Sequence, residues 1–205
     1  MLKLTWLGHA CFALEAEGYR ILLDPYSPDY VPGLGRVEMS AHKVLCSHDH
    51  ADHGWKEGIP TPLNKIPCPF TVQELHVFHD DQLGSLRGLN TIHVIEYNGI
   101  RVAHLGDLGH DLDDDQIEEL GKLDAVLLPI GGTYTLDCQQ ASDLADRLQV
   151  KTVIPMHYRR DGIGFDVLQS LQEFLILRPH HQELPGNTLE ITNDMPETTI
   201  VLNVK

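Results

Sequence analysis

The stretch Val44-Leu45-Cys46-Ser47-His48-Asp49-His50-Ala51-Asp52-His53 places metal-ligand side chains directly after a short apolar run. Alternate side chains of an extended segment point the same way, so His48 and His50 can bind one ion. Asp52 and His53 follow after a turn and suit a second ion nearby. The alternative is a solvated His-rich surface loop, which would have no need of an apolar strand before it. The stretch therefore predicts a buried strand that delivers a two-metal site.

Composition limits the classes of protein that remain. With 205 residues, 42% of them hydrophobic, the chain is long enough for one domain with a sizeable core, and we take residues 1–205 as that domain. A formal net charge of -15 argues against a nucleic-acid surface. No apolar run approaches a membrane span, and no signal peptide is evident. The spacing of Cys11, Cys46, Cys68 and Cys138 indicates neither a disulfide framework nor a zinc ribbon, which favours the cytoplasm.

Three further ligand types follow predicted strands. His79 comes after an apolar strand over 70–78 and is preferred to His76, which lies inside that strand. Asp107 follows the strand 100–105 and Gly106, and one carboxylate can bridge two cations. His157 follows the strand 151–155. Because residues at strand ends can meet at one edge of a sheet, these three side chains are candidates for the same metal site.

Four other residues are candidates for supporting the metals or lining a substrate pocket. His9 sits at a turn between two predicted strands, and Asp24 ends a strand where it could orient a metal-bound histidine. Among the remaining histidines, His110 is the candidate to approach the site, and we interpret His93 and His104 as structural. Tyr134 lies in the loop 131–135, which leaves the strand 124–130. A hydrogen-bonded turn or cap is the alternative role for His9 and Asp24.

Periodicity predicts an α/β fold that opens with an antiparallel meander. Asn98-Gly99 predicts a type I′ hairpin turn between strands 91–97 and 100–105. A helix is predicted over 137–149 with Cys138, Ala141, Ala145 and Leu148 on its buried face. Another is predicted near 165–175, and the segments 188–192 and 198–204 are predicted to be closing strands.

The order of these motifs resembles the metallo-β-lactamase superfamily. The segments Leu7-Gly8-His9-Ala10-Cys11-Phe12, Arg87-Gly88-Leu89-Asn90, His104 to His110 and Pro155-Met156-His157-Tyr158 are similar to its small single-domain zinc-dependent hydrolases, the group of ascorbate-6-phosphate lactonase. The resemblance implies a four-layer αβ/βα sandwich with the site at one edge of two sheets. It also implies a first metal on His48, His50 and His79, a second on Asp52, His53 and His157, and a bridging Asp107.

The expected function is metal-dependent hydrolysis. His50 stands where the related flavodiiron oxidoreductases have glutamate, which favours zinc hydrolysis, with Mn²⁺ as the alternative ion. A hydroxide bridging two metals would attack the substrate, oriented by Asp52 as catalytic residue. The substrate is expected to be a small molecule with a phosphodiester, lactone or related ester bond, and Arg87, Arg159 and Arg160 are candidate contacts for an anionic group. A non-catalytic metal-binding sensor is the alternative function, and pairing of two chains through a strand edge or helix face stays open.

Overall fold

The computed structural model describes residues 1–204, which form two β-sheets and three α-helices. The elements of this part of the chain, in order, are β1 (Leu2–Gly8), β2 (Cys11–Ala16), β3 (Tyr19–Leu23), β4 (Lys43–Leu45), β5 (Thr71–Phe78), β6 (Leu89–Tyr97), β7 (Ile100–His104), α1 (Asp114–Leu120), β8 (Ala125–Pro129), α2 (Cys138–Leu148), β9 (Thr152–Met156), α3 (Leu171–Leu177), β10 (His181–Glu183), β11 (Thr188–Ile191) and β12 (Thr198–Val201).

Strand directions bring many strand ends to the same side of each sheet. The first sheet has the order β11-β1-β2-β3-β4, and the second has the order β10-β12-β9-β8-β7-β6-β5. In the first sheet, β2 is antiparallel to both of its neighbours and β3 is parallel to β4, so β1, β3 and β4 share one direction. In the second, β5, β7, β8 and β9 share one direction for the same reason. Each predicted site residue follows the carboxyl end of one of these strands.

The core lies between the two sheets and continues on their outer faces. Phe12 and Leu14 of β2 point into the inter-sheet core, whereas Cys11 and Ala13 point to the opposite face. That opposite face is covered by apolar residues of the loops that follow β3 and β4 (Tyr26, Val31, Val37, Ala41 and Ile59). Buried residues of the helices extend the core on the second sheet. The predicted α/β sandwich is confirmed. In the described part of the chain, the layer that covers the outer face of the first sheet is formed by loops rather than by helices.

Local predictions were mostly confirmed. Asn98 and Gly99 both have positive φ (50° and 78°), as a type I′ turn requires. The predicted apolar face of α2 is buried. The helix predicted near 165–175 begins later than expected, at Leu171. Ser170 is its N-cap: the Ser170 side chain accepts a hydrogen bond from the Glu173 backbone N–H, and the Glu173 side chain accepts one from the Ser170 backbone N–H. Phe165 and Leu168 therefore belong to the preceding loop.

No helix among the described residues is long and apolar enough to cross a membrane. The four cysteines carry free thiols, as their spacing predicts. Strand β10 has only three residues, all exposed, and no periodic signal in the sequence predicted it.

The N-terminus of α2 offers a test of local stability. Asp137 accepts a hydrogen bond from the backbone N–H of Gln140, and the Gln140 side chain accepts one from the Asp137 N–H. We expect Asp137→Ala to lower the free energy of unfolding by about 1 kcal/mol, since it removes an N-cap. Urea denaturation measures this change. Asp166→Ala, which removes an exposed loop carboxylate, is the control and should change stability by less; equal effects of the two variants would contradict the capping role.

Candidate metal centre

The strand ends bring all seven predicted ligands into one cluster. Ligand atoms lie within 4.8 Å of one another in three overlapping groups: His48, His50 and His79; His48, His53 and Asp107; and His9, Asp52, His53 and His157. The loop after β4 supplies four members, and the ends of β1, β5, β7 and β9 supply the others. Residues far apart in the sequence therefore form one site at an edge shared by both sheets.

Asp107 lies at the centre of the cluster. Its Oδ2 is 3.5 Å from His79 Nε2 and 3.3 Å from His157 Nε2, and its Oδ1 is 3.2 Å from His53 Nε2. The Asp107 side chain is 3% exposed, so these contacts are made out of bulk water. Gly106 precedes it with a φ of 58°, and a Cβ there would clash with Asn90 and Ser47. Glycine thus allows the strand end to approach the loop after β4 closely.

Asp24 orients the loop that carries most of the ligands. Its carboxylate accepts hydrogen bonds from the Ser47 backbone N–H (2.7 Å) and the Ser47 hydroxyl (2.5 Å), and it pairs with His53 Nδ1 at 2.7 Å. With Nδ1–H donating to Asp24, the lone pair of His53 is on Nε2, which faces Asp107. Burial acts to raise the pKa of Asp24, but His104 and His53 outweigh it and hold that pKa below its ordinary value.

His9 contacts the other end of the cluster. Its Nε2 is 3.4 Å from Asp52 Oδ2, and its ring centroid is 4.0 Å from that of His157. His9, Asp24 and His157 all have left-handed backbone conformations, with φ of 52°, 45° and 54°. Such a conformation costs a non-glycine residue about 1–2 kcal/mol. Its recurrence at three residues of one site indicates that packing and hydrogen bonds force these side chains toward the cluster.

Electrostatics favour neutral rings at His48 and His79 and an ionised carboxylate at Asp107. Burial lowers the pKa of His48 to about 3 and also lowers that of His79, so both rings are neutral and can donate a lone pair to a metal. Burial raises the pKa of Asp107, but His157 and His53 reverse this effect and keep it ionised. Burial lowers the pKa of His53, but Asp107 and Asp24 raise it well above its ordinary value.

The donor atoms fit a divalent metal ion. Buried ring nitrogens with no hydrogen-bond partner include Nε2 of His48, His53 and His157, and Oδ1 of Asp107 is also unpartnered. A buried polar atom left unpaired costs about 1–3 kcal/mol, so a group of them facing one another requires a common partner. Imidazole nitrogens and carboxylate oxygens are ligands for zinc and similar ions. The residues therefore form a candidate metal-binding cluster.

A cavity of about 370 Å³ opens onto the cluster. His50, Asp52, His79 and Asp107 line one part of it, and Tyr30, Ala51, Arg87, Tyr134 and Phe165 line the rest. Tyr134, a predicted candidate for a substrate pocket, lies on this lining. Tyr30 and Phe165 were not predicted, because nothing in their own segments indicates which sheet edge those loops cover. The volume suits a small molecule.

Other candidates lie outside the cluster. His110 Nε2 accepts a hydrogen bond from the Phe78 backbone N–H, so this ring supports the end of β5 beside His79. His104 contacts the backbone of Ala10 and Gly106 and is structural, as expected. Arg160 pairs with Asp161 and Glu183. Arg159 donates to the Leu168 carbonyl, and neither arginine lines this cavity, so their role as anion contacts stays a prediction.

Comparisons with known proteins agree with this architecture. A family model described as a β-lactamase superfamily domain matches residues 3–157. A UPF0173 metal-dependent hydrolase from Methanoculleus marisnigri is 31% identical over 206 residues, which cover 84% of this chain and 87% of the relative. Another UPF0173 metal-dependent hydrolase, from Korarchaeum cryptofilum, is 29% identical over 227 residues, which cover 93% of this chain and 100% of the relative.

Solved structures show the same fold. A candidate Zn-dependent hydrolase of the metallo-β-lactamase superfamily from Thermotoga maritima matches with a TM-score of 0.79 and 35% identity over the whole of both chains. Igni18, a metallo hydrolase from Ignicoccus hospitalis, matches with a TM-score of 0.60 and 24% identity over 84% of this chain and 88% of the Igni18 chain. At this identity, the match supports the fold and no more. The chain belongs to the β-lactamase superfamily and is a metal-dependent hydrolase with the metallo-β-lactamase fold.

Proposed function

We propose that this protein is a dinuclear zinc hydrolase that cleaves a phosphodiester, lactone or related ester bond in a small molecule. The first ion would be held by His48, His50 and His79, and the second by Asp52, His53 and His157. Asp107 would bridge the two ions. The observation that carries the proposal is the position of the Asp107 carboxylate between these groups, with His79, His53 and His157 all within 3.5 Å of its oxygens.

We place residues 1–205 in one hydrolase domain. One core cluster contains residues of both sheets and of the helices, which supports a single folding unit. The net charge of -15 opposes binding of nucleic acid, and the cavity has the size of a small-molecule site. Mn²⁺ is the alternative ion, because N/O ligand sets discriminate weakly among divalent metals.

The residues have separate tasks in the proposed reaction. Two bound ions would activate water and polarise the bond to be cleaved. Asp52 lines the cavity, where its side chain is 16% exposed. Burial acts to raise its pKa, but the contacts with His9 and His53 lower it, so Asp52 stays ionised and can orient the attacking water as a hydrogen-bond acceptor. His9 holds Asp52 in place at 3.4 Å.

The metal content of protein purified without chelator tests the centre. We expect elemental mass spectrometry to find about two zinc ions per chain, and about one in His157→Ala, because that variant loses a ligand of the second ion. His76→Ala is the matched control, since His76 is exposed on β5 and bonds Thr91 rather than the cluster. A metal content of one or none that is unchanged in His157→Ala would contradict the dinuclear assignment.

Turnover tests the reaction. Generic phosphodiester and lactone substrates should be hydrolysed by the metal-loaded protein, and EDTA should abolish the activity until Zn²⁺ or Mn²⁺ is returned. A protein with its full complement of metal that cleaves no ester of either class would refute the proposed reaction, and the metal-binding sensor would then be the better interpretation.

A further inference from the structure

A cationic side chain has a fixed position on the wall of the metal-site cavity. Arg87 lies on the loop after β5, with its Cζ 5.5 Å from the centroid of the Tyr134 ring. Its Nη2 donates a hydrogen bond of 3.0 Å to the Thr133 carbonyl. The cation–π contact with Tyr134 and the hydrogen bond to Thr133 together restrict the guanidinium, and a guanidinium held in place favours bidentate recognition of an anion.

Arg87 is not neutralised by a carboxylate in the described residues. Most other arginines have such a partner within 4.0 Å: Arg20, Arg101, Arg147, Arg160 and Arg178. Arg87 has none among residues 1–204, although acidic residues outnumber basic ones by 30 to 15 in this chain. Among the described residues, it is also the only Lys or Arg on the cavity lining. Its charge is therefore available to a ligand in the cavity.

The loop that carries Arg87 is built around a buried carboxylate. Asp80 is 1% exposed and directly follows the candidate ligand His79. Its oxygens accept hydrogen bonds of 2.7–3.0 Å from the backbone N–H groups of Gln82, Gly84, Leu86 and Arg87. Because four backbone groups converge on one side chain, the loop is preorganised, and Arg87 is held without induced ordering.

Aromatic side chains line the same cavity. Tyr30 and Tyr134 are the exposed aromatic residues of the described chain, at 50% and 39%, and both lie on this lining. The ring of Phe165 lies 5.9 Å from that of Tyr30 in an edge-on arrangement. Exposed aromatic rings beside a fixed cation are typical of sites that bind a ligand with an apolar ring and an anionic group.

We infer that the cavity selects small organic anions, namely esters that carry a carboxylate or phosphoryl group apart from the scissile bond and a planar apolar portion. Arg87 binds the anionic group, and Tyr30 and Phe165 contact the planar portion. Asp80 is a positioning residue that holds Arg87. This inference rests on the proposed hydrolase function and deepens it, because it names the class of substrate.

Esters with the same scissile bond but a different remote charge test whether the charge of the substrate alone changes its rate of hydrolysis. The metal-loaded protein would be given 4-nitrophenyl benzoate and 4-nitrophenyl 4-carboxybenzoate, which share the scissile bond and the ring but differ in a remote carboxylate. The 4-phosphonobenzoate ester distinguishes a phosphoryl group from a carboxylate. We expect kcat/KM to favour at least one anionic ester by about tenfold or more, which corresponds to one charge-assisted contact.

Variants assign that preference to Arg87. Arg87→Gln should remove the preference by raising KM for the anionic ester, and Arg87→Lys should retain part of it, because lysine keeps the charge but not the planar geometry. Arg36→Gln makes the same change of charge at an exposed residue outside this cavity and should keep the full preference. Asp80→Asn should raise KM for the anionic ester more than it lowers kcat, with metal content unchanged.

A binding measurement makes the result independent of turnover. Calorimetry would compare terephthalate and 4-phosphonobenzoate with neutral 4-nitrotoluene on the metal-loaded wild type, Arg87→Gln and Arg36→Gln. Weaker binding of an anion by Arg87→Gln alone supports the inference even if no ester is cleaved, a result that would count only against the proposed reaction. Equal binding by all three proteins, or an unchanged ester preference in Arg87→Gln, overturns the role of Arg87 while leaving the hydrolase intact.

Discussion

Replacement of Asp107 with alanine is expected to abolish hydrolysis while the group of His48, His50 and His79 keeps its ion. The Asp107 carboxylate lies between ligands of both proposed metals, with His79 on one side and His53 and His157 on the other. Loss of a residue that merely supports a ligand costs about 10–100-fold in activity or affinity, so loss of the bridging ligand itself should exceed about 100-fold in kcat/KM.

The Asp107 variants would be measured by turnover and by elemental analysis on the same samples. Metal content should fall from about two ions toward about one, because the second group loses the anionic bridge. Asp107→Asn keeps the size of the side chain and should retain metal better than Asp107→Ala. Asp81→Ala, at an exposed carboxylate near His79, is the control and should retain both ions. Full activity in Asp107→Ala would remove the bridging carboxylate from the proposed site.

The sequence predicted the residues of the cluster well, for a specific physical reason. His79, Asp107 and His157 each follow an apolar run, and an apolar run that ends in one ligand-type residue indicates a strand delivering that residue to a sheet edge. The strands concerned share a direction within their sheets, so the residues converge. Asp24 was identifiable by the same signal, and the structure places it under His53 as a support.

What could not be predicted depends on loops and on long-range geometry. No local pattern indicates that Tyr30 and Phe165, which are far apart in the sequence, lie 5.9 Å apart over the same cavity. Arg160 was an expected anion contact, but its partner Glu183 lies on β10, a strand too short and too exposed to show periodicity. The start of α3 at Leu171 could have been predicted, since Ser170 and Glu173 have the spacing of a capping box. The helical spacing of the apolar residues Phe165 and Leu168 instead indicated an earlier start.

Asp24 is the support whose loss should disturb the cluster most. It is fully buried, and its two oxygens satisfy the Ser47 backbone N–H, the Ser47 hydroxyl and His53 Nδ1. Asp24→Ala would leave the Ser47 backbone N–H and His53 Nδ1 without a partner, at about 1–3 kcal/mol each before relaxation or entry of water, whereas the Ser47 hydroxyl would keep its contact with His48 Nδ1. The His53 ring would also lose the hydrogen bond that directs its Nε2 toward Asp107, which predicts a loss of about 10–100-fold in metal affinity.

The two effects of Asp24→Ala can be separated because they depend differently on metal. Thermal unfolding in EDTA reports the loss of buried hydrogen bonds alone, whereas competition with a zinc chelator reports metal affinity. Asp24→Asn keeps the shape of the side chain but only one acceptor oxygen, so it should recover part of the stability and less of the affinity, since the amide lacks the charge that stabilises the metal-bound imidazole. Asp49→Ala, at an exposed carboxylate in the same ligand loop, should leave both quantities close to wild type. Wild-type zinc affinity in a folded Asp24→Ala protein would show that His53 is oriented without Asp24, and that the hydrogen bond of 2.7 Å between them serves the fold rather than the metal site.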